Sequence, residues 1–227
     1  MSELKHLAII PDGNRRWAKQ HGLTSAQGHR QGFEQVKTIG LAALELGIEH
    51  FTLWGFSTEN WKRSQEEVGF LMNLLMQALT TELDFYLTHS IRLRIIGDRT
   101  GFSVPLQHAM TTAEEKTQLG TKGQFNVCVN YGGRAEIVAG VKKMIEAGVS
   151  ADQIDEQSVS SYLWTHDLPE PDCIIRTSGE QRLSGFLSWL GSYSELMFVD
   201  VFWPEFSEND LKKCVEAFYA RDRRFGS

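Results

Sequence analysis

The chain has no run of about 18 or more uncharged apolar residues, so the sequence holds no membrane-spanning helix. The charged N-terminus leads straight into a short apolar stretch rather than into a signal peptide. Cysteine is scarce. Cys128, Cys173 and Cys214 are odd in number, widely spaced and never in a C-x-x-C pair, which argues against a disulfide scaffold, a zinc site or a redox motif. A reducing cytoplasm is the compartment these cysteines imply. There is no excess of basic charge, since 29 acidic against 23 basic residues leave a net charge of −6, and nucleic acid is therefore not an expected partner. Five prolines and no Gly-, Ser- or Pro-rich linker, repeat or low-complexity tract leave nothing to divide the chain, and residues 1–227 read as a single domain. Neither G-x-G-x-x-G nor G-x-x-x-x-G-K-[ST] occurs, which argues against the common nucleotide folds.

What is present is an alternation of short apolar runs with helix-length segments. Strands are expected over 6–10, 50–55, 91–96, 124–129, 173–176 and 196–201, mostly as continuous apolar runs, the signature of strands covered on both faces. Helices are expected over 14–20, 29–46, 66–88, 103–118, 134–147, 158–163 and 208–221, the last opened by Ser207 with Asp210 three residues on. The pattern predicts an α/β domain with a mostly parallel central sheet of about six strands flanked by helices.

Three of the strands end in the same way. Leu7-Ala8-Ile9-Ile10 runs into Pro11-Asp12-Gly13-Asn14-Arg15-Arg16-Trp17, and Phe51-Thr52-Leu53-Trp54 leads to Phe56-Ser57-Thr58-Glu59-Asn60-Trp61-Lys62-Arg63. Cys173-Ile174-Ile175 is followed by Arg176-Thr177-Ser178-Gly179-Glu180-Gln181-Arg182-Leu183-Ser184. Carboxyl ends of parallel strands converge on one crevice, so these hydroxyls, amides and guanidinium groups predict one polar, cationic pocket. A carboxylate, a glycine and two arginines at a strand-to-helix turn suit a metal-bound diphosphate.

These segments, with Asn130-Tyr131-Gly132-Gly133-Arg134 and the stretch from Glu195 to Pro204, resemble the cis-prenyltransferase family, and within it the bacterial undecaprenyl diphosphate synthase branch. The resemblance runs from His6 to Gly226. It implies condensation of isopentenyl diphosphate onto an allylic diphosphate such as farnesyl diphosphate, with Mg²⁺. By the same resemblance Asp12 is a metal ligand and Glu195 a second one. Gly13, Asn14, Arg15, Arg16, Trp17, Ser25 and His29 belong to the allylic site. Arg176, Arg182, Leu183 and Ser184 belong to the isopentenyl site. Ser57, Thr58, Glu59, Asn60, Trp61 and Arg63 form the loop that positions both substrates. A neutral amide is too weak a base to act alone, so Asn60 is expected to orient, leaving the departing diphosphate or a relay through Ser57 as acceptor.

Val68, Phe70, Leu71, Leu74, Leu75, Ala78, Leu79, Leu83 and Tyr86 recur at helical spacing, and with Leu53, Gly55, Ile91, Leu93 and Phe125 could line an apolar tunnel beside the sheet. Gly55 stands where the resembled family often has a small residue, which implies an open tunnel mouth and a longer product rather than a short- or medium-chain one. Three positions depart from the family's usual residues: Ser25 replaces an arginine, Gln181 a histidine and Pro11 a methionine. A silent scaffold member would be expected to lose Asp12 or the arginine loop, and the all-helical prenyl synthases carry an Asp-Asp-x-x-Asp motif that does not occur here. The resemblance further implies a homodimer through residues 195–204, in which Arg224 of the Arg224-Phe225-Gly226 tail reaches the neighbour's site. Any membrane contact, at the inner membrane surface for product release, would be peripheral.

Overall fold

The apolar runs become six parallel strands: β1 (His6–Ile10), β2 (His50–Ser57), β3 (Ile91–Ile96), β4 (Gly123–Tyr131), β5 (Cys173–Arg176) and β6 (Glu195–Phe198). The computed structural model describes residues 3–221. The tail with Arg224 lies outside them. The strands form one sheet in the order β3-β4-β2-β1-β5-β6, every neighbouring pair parallel. Alternate residues of β1 serve different layers. Leu7 and Ile9 face a large core with Phe51, Leu53, Leu93 and Phe125, while Ala8 and Ile10 face a smaller one with Cys128, Tyr131, Ile174 and Phe186.

The connections are α1 (Asn14–Gln20), α2 (Ser25–Glu45), α3 (Gln65–Leu79), α4 (Leu83–Thr88), α5 (Val104–Thr117), α6 (Gly133–Glu146), α7 (Glu156–Tyr162) and α8 (Glu208–Tyr219). Two boundaries differ from the sequence expectation for local reasons. The helix expected from 29 begins at Ser25, because Thr24 and Gln27 close a capping box around its first turn. The single helix expected over 66–88 is two. Thr80 leaves the helical region, and Glu82 is held by Lys37 of α2 (2.9 Å) and Gln77 (3.0 Å), so the chain restarts as a separate helix, α4. Strand β6 stops at Phe198, short of the expected 201, while β4 runs on to Tyr131. Among the described residues no helix is long and apolar enough to cross a membrane.

Helices α1 and α2 pack unusually close. A side chain at Gly32 would collide with Asn14 Oδ1, so glycine there lets the first turn of α1 rest on α2. Gly13, with φ of +108°, makes the turn between β1 and α1, and a Cβ on it would lie 2.6 Å from Phe202 Cδ1. The loop that carries Asp12 is thereby fixed from both sides.

Candidate active site

Asp12 follows β1 and Arg176 ends β5, and because these strands are neighbours the two side chains meet. Arg176 Nη2 donates to Asp12 Oδ2 at 2.9 Å, while Nη1 donates to Ser184 Oγ (2.9 Å) and the Arg182 carbonyl (2.5 Å). Arg16, one turn along from Asp12, brings Nη2 to 3.2 Å from the other carboxylate oxygen. Burial works against the Asp12 charge, but Arg176 and then Arg16 outweigh it and hold the carboxyl below its usual range. Asp12 is therefore an ionised carboxylate bracketed by two guanidinium groups and still partly open to solvent.

Three joined cavities surround this point. An open polar basin of about 730 Å³ is lined by Asp12, Gly13, Asn14, Arg15, Arg16 and, across it, Ser25, His29 and Arg63. A second, of about 370 Å³, is bounded by Asp12, Ser57, Glu59, Asn60, Arg176 and Ser184. A third, of about 130 Å³, is apolar and lies between the sheet (Leu53, Val127, Val129), α2 (Phe33, Val36) and α3 (Leu71, Leu74, Leu75). Pro11, Asn14 and His29 border all three, so a ligand with an anionic head and an apolar tail has a continuous path between them.

The polar loop after β2 coils into a 3-10 turn, Thr58–Lys62. Within it Asn60 Oδ1 accepts the Ser57 backbone N–H at 3.0 Å. That bond fixes the amide orientation, so Asn60 turns its NH2 group away from the turn. It can donate there, but it cannot take a proton.

Several residues outside the expected set complete the site. Ser178 Oγ accepts from Arg16 Nη2 at 2.6 Å, with its backbone at φ +76°, and Thr177 Oγ1 donates to the Asp12 carbonyl at 2.7 Å. Glu180 pairs with both Arg16 (3.1 Å) and Arg182. Glu67 of α3 accepts from His29 Nε2 (3.0 Å) and Arg63 (2.9 Å), with Arg15 3.9 Å away. Burial lowers the His29 pKa, only partly offset by Glu67, so the imidazole is neutral at pH 7 and donates to the carboxylate. The Arg16 guanidinium also sits 5.6 Å over the Phe202 ring. The sequence signal for Glu67 was present as an i+4 partner of Arg63. Nothing local marks Phe202.

Not every expected residue faces the pocket. Trp17 turns from the basin and stacks on His21, 4.5 Å between ring centroids. Leu183 packs against the smaller core beneath its loop. Trp61 lies outside the three cavities, between Phe56 and Phe102. Glu195 is not brought to Asp12 within one chain. It pairs with Cys173 at the amino end of β5, three residues or about 10 Å from Arg176, and is ion-paired with Arg221 at 2.6 Å. Among the described residues no three His, Cys, Asp or Glu side chains converge as a metal cage. The donor set at Asp12 nonetheless suits Mg²⁺, which takes one or two protein carboxylates and completes its shell with water and phosphate oxygens.

Comparison with known proteins gives a consistent picture. The family model described as putative undecaprenyl diphosphate synthase matches residues 10–226. An isoprenyl transferase of Clostridium perfringens is 46% identical over 98% of this chain and 89% of its own, and the farnesyl-diphosphate-specific ditrans,polycis-undecaprenyl-diphosphate synthase of Escherichia coli is 43% identical over the same shares. Among solved structures, lavandulyl diphosphate synthase from Lavandula x intermedia, in complex with dimethylallyl diphosphate, superposes with a TM-score of 0.93 at 36% identity over 98% of both chains. A probable undecaprenyl diphosphate synthase from Campylobacter jejuni gives 0.83 at 32% identity over the full length of both. With the strand-end residues, the sheet and the sequence match in agreement, the chain belongs to the undecaprenyl diphosphate synthase family of prenyltransferases.

Proposed function

We propose that the protein elongates an allylic diphosphate, farnesyl diphosphate in the first instance, by repeated cis addition of isopentenyl diphosphate to give a long-chain polyprenyl diphosphate such as undecaprenyl diphosphate. One observation carries this reading: two cation-lined basins meet at Asp12, and an apolar cavity adjoins both of them at Pro11, Asn14 and His29. In each cycle a carbon–carbon bond forms, the allylic C–O bond breaks, and diphosphate and one proton leave. Arg15, Arg16 and the α1 amino end hold the allylic diphosphate, and its tail enters the apolar cavity. Arg176, Arg182 and Ser184 hold the isopentenyl diphosphate across Asp12. A Mg²⁺ ion held by Asp12 supplies charge neutralisation for the leaving diphosphate. The Asn60 NH2 orients a phosphate oxygen, and the departing diphosphate accepts the proton.

The homodimer is part of the proposal. β6 is one of the two edge strands of the sheet, and a groove beside it is lined by Met197, Val199, Val201 and Ala217. A partner there would be the source of a second carboxylate, Glu195, and of Arg224. We place the enzyme in the cytoplasm, meeting the inner membrane surface only peripherally as product leaves. A second reading, a short product, has in its favour a cavity of about 130 Å³, well under the roughly 300–1,000 Å³ typical of small-molecule sites. Purified protein incubated with farnesyl diphosphate, labelled isopentenyl diphosphate and Mg²⁺, with products sized by chromatography, decides. Products near eleven isoprene units support the main reading, products of one or two additions support the second, and no incorporation overturns both.

A further inference from the structure

The substrate loop Thr58–Lys62 is held from outside by a residue to which the pocket gives no role. Asn130, near the end of β4, is 7% exposed and sits in the left-handed region with φ of +46°. Its Oδ1 accepts the Trp61 indole N–H at 2.7 Å, and its Nδ2 donates to the Asp98 carbonyl at 2.9 Å. Its own carbonyl accepts the Asp98 N–H at 3.4 Å. Trp61 is thereby fastened to the loop after β3 as well as to β4, and its ring fills the space between Phe56 (5.0 Å) and Phe102 (5.7 Å). Gly101 takes part as well, since a Cβ there would lie 3.3 Å from Asn130 Nδ2 and 3.7 Å from Trp61 Cζ2. The neighbours of Trp61 in the turn, Glu59 and Asn60, line the cavity at Asp12. Asparagine is one of the few L-residues that enter the left-handed region readily, so the backbone of this position and the two bonds of its side chain are served by the same residue.

We infer that Asn130 is a positioning residue for the transfer reaction: through Trp61 it holds the Thr58–Lys62 turn at the height where Asn60 and Glu59 reach the reacting substrates. This rests on the prenyl-transfer reading for its kinetic consequence, but not for its structural one. The side chain touches no substrate and acts only through Trp61. Its effect therefore belongs to the geometry of the reacting complex, not to the binding of the allylic diphosphate at Arg15, Arg16 and Ser25 on the far side of Asp12.

The test uses Asn130→Gly, which keeps the left-handed backbone and removes only the side chain, Trp61→Phe, which keeps an aromatic ring between Phe56 and Phe102 but removes the N–H with the five-membered half of the indole, and the double variant. With full-length protein, farnesyl diphosphate and isopentenyl diphosphate, each single variant is expected to lose about tenfold in kcat, with KM for farnesyl diphosphate within twofold and the melting temperature within about 3 °C. The double variant is expected to be no slower than the slower single one, because both changes cut the same bond. Independently of activity, the Trp61 indole signal in ¹⁵N-tryptophan-labelled protein, assigned by its loss in Trp61→Phe, is expected to exchange its proton slowly in the parent and at least tenfold faster in Asn130→Gly. A kcat within twofold of the parent in Asn130→Gly, or multiplicative losses in the double variant, overturns the positioning role. Unchanged indole exchange overturns the bond itself. A parent protein without prenyl transfer, but with the exchange difference intact, overturns the functional reading and with it the role of Asn130 in catalysis, and leaves only the bond.

Discussion

The two ends of the one sheet put their polar groups to different uses. At the amino end a chain of polar groups crosses three adjacent strands: Asn126 Nδ2 donates to Thr52 Oγ1 (2.9 Å), Thr52 lies 2.7 Å from His6 Nε2, and His6 Nδ1 lies 2.7 Å from the Pro169 carbonyl. A carbonyl can only accept, so His6 carries its proton on Nδ1 and takes one from Thr52 on Nε2. The chain is closed and its three side chains are fully buried, although His50 Nδ1 beside it is buried with no partner among the described residues. At the carboxyl end, by contrast, Arg176 Nε and Asn14 Oδ1 are buried with no partner among the described residues, and Arg15, Arg16 and Arg182 are open to solvent. At the carboxyl end the unpaired donor stands beside open guanidinium groups. Arg176 Nε is a donor of the kind an anionic ligand requires, whereas Asn14 Oδ1 is an acceptor that suits a donor or a cation.

Four changes test that contrast, in descending order of effect. Asp12→Asn keeps the size of the side chain but removes the charge between Arg16 and Arg176, and activity should fall at least about a hundredfold while the melting temperature moves little. Steady-state rates beside thermal melts check it, and a large fall in melting temperature with activity preserved would make Asp12 structural. Thr52→Val should do the reverse. It strands His6 Nε2 and Asn126 Nδ2, costing about 1–3 kcal/mol, or roughly 2–4 °C of melting temperature per kcal/mol, with kcat intact at low temperature.

The third concerns acid. Burial first of all, with His50 adding to it, lowers the His6 pKa from 6.5 to about 4, although Pro169 and Asp172 pull the other way. The unfolded chain therefore takes up a proton near pH 6.5 that the folded one refuses. Stability from this group is complete above pH 6.5 and declines by up to about 1.4 kcal/mol per pH unit as pH falls towards 4. Denaturant melts across that window should show the slope, and His6→Gln should flatten it. The smallest effect is Ser25→Arg, which adds a cation to the exposed rim of the basin. It should lower KM for farnesyl diphosphate by about threefold, in line with roughly 0.5–1 kcal/mol for an exposed ion pair. An unchanged KM would show that Arg15 already fills that role.

The same contrast explains what could be read from the sequence. Strands buried on both faces are mostly apolar, so their positions were visible, and so was the order of polar endings that brings Asp12, Arg176 and Ser184 together. Orientation about a helix or loop was not visible. Trp17 and Leu183 lie in the right segments and point the wrong way, because one stacks on His21 and the other joins the core beneath. Phe202 reaches the site through a long-range contact that no spacing encodes, and the spacing of Glu67 from Arg63 marks that pair but not its contact with His29. The break between α3 and α4 depends on Lys37, more than forty positions away from Glu82.

The left-handed residues at the carboxyl end bear on engineering. Asn130, Ser178 and Ser184 have φ of +46°, +76° and +53°, values that glycine adopts freely. Design rules for thermal robustness would replace all three with glycine and expect each exchange to relieve on the order of 1 kcal/mol of backbone strain. Yet their side chains hold Trp61, Arg16 and Arg176, in that order. A campaign selecting only on melting temperature would find little against those exchanges and pass a protein with slackened catalytic groups, and screens on this chain should select on turnover and heat tolerance together.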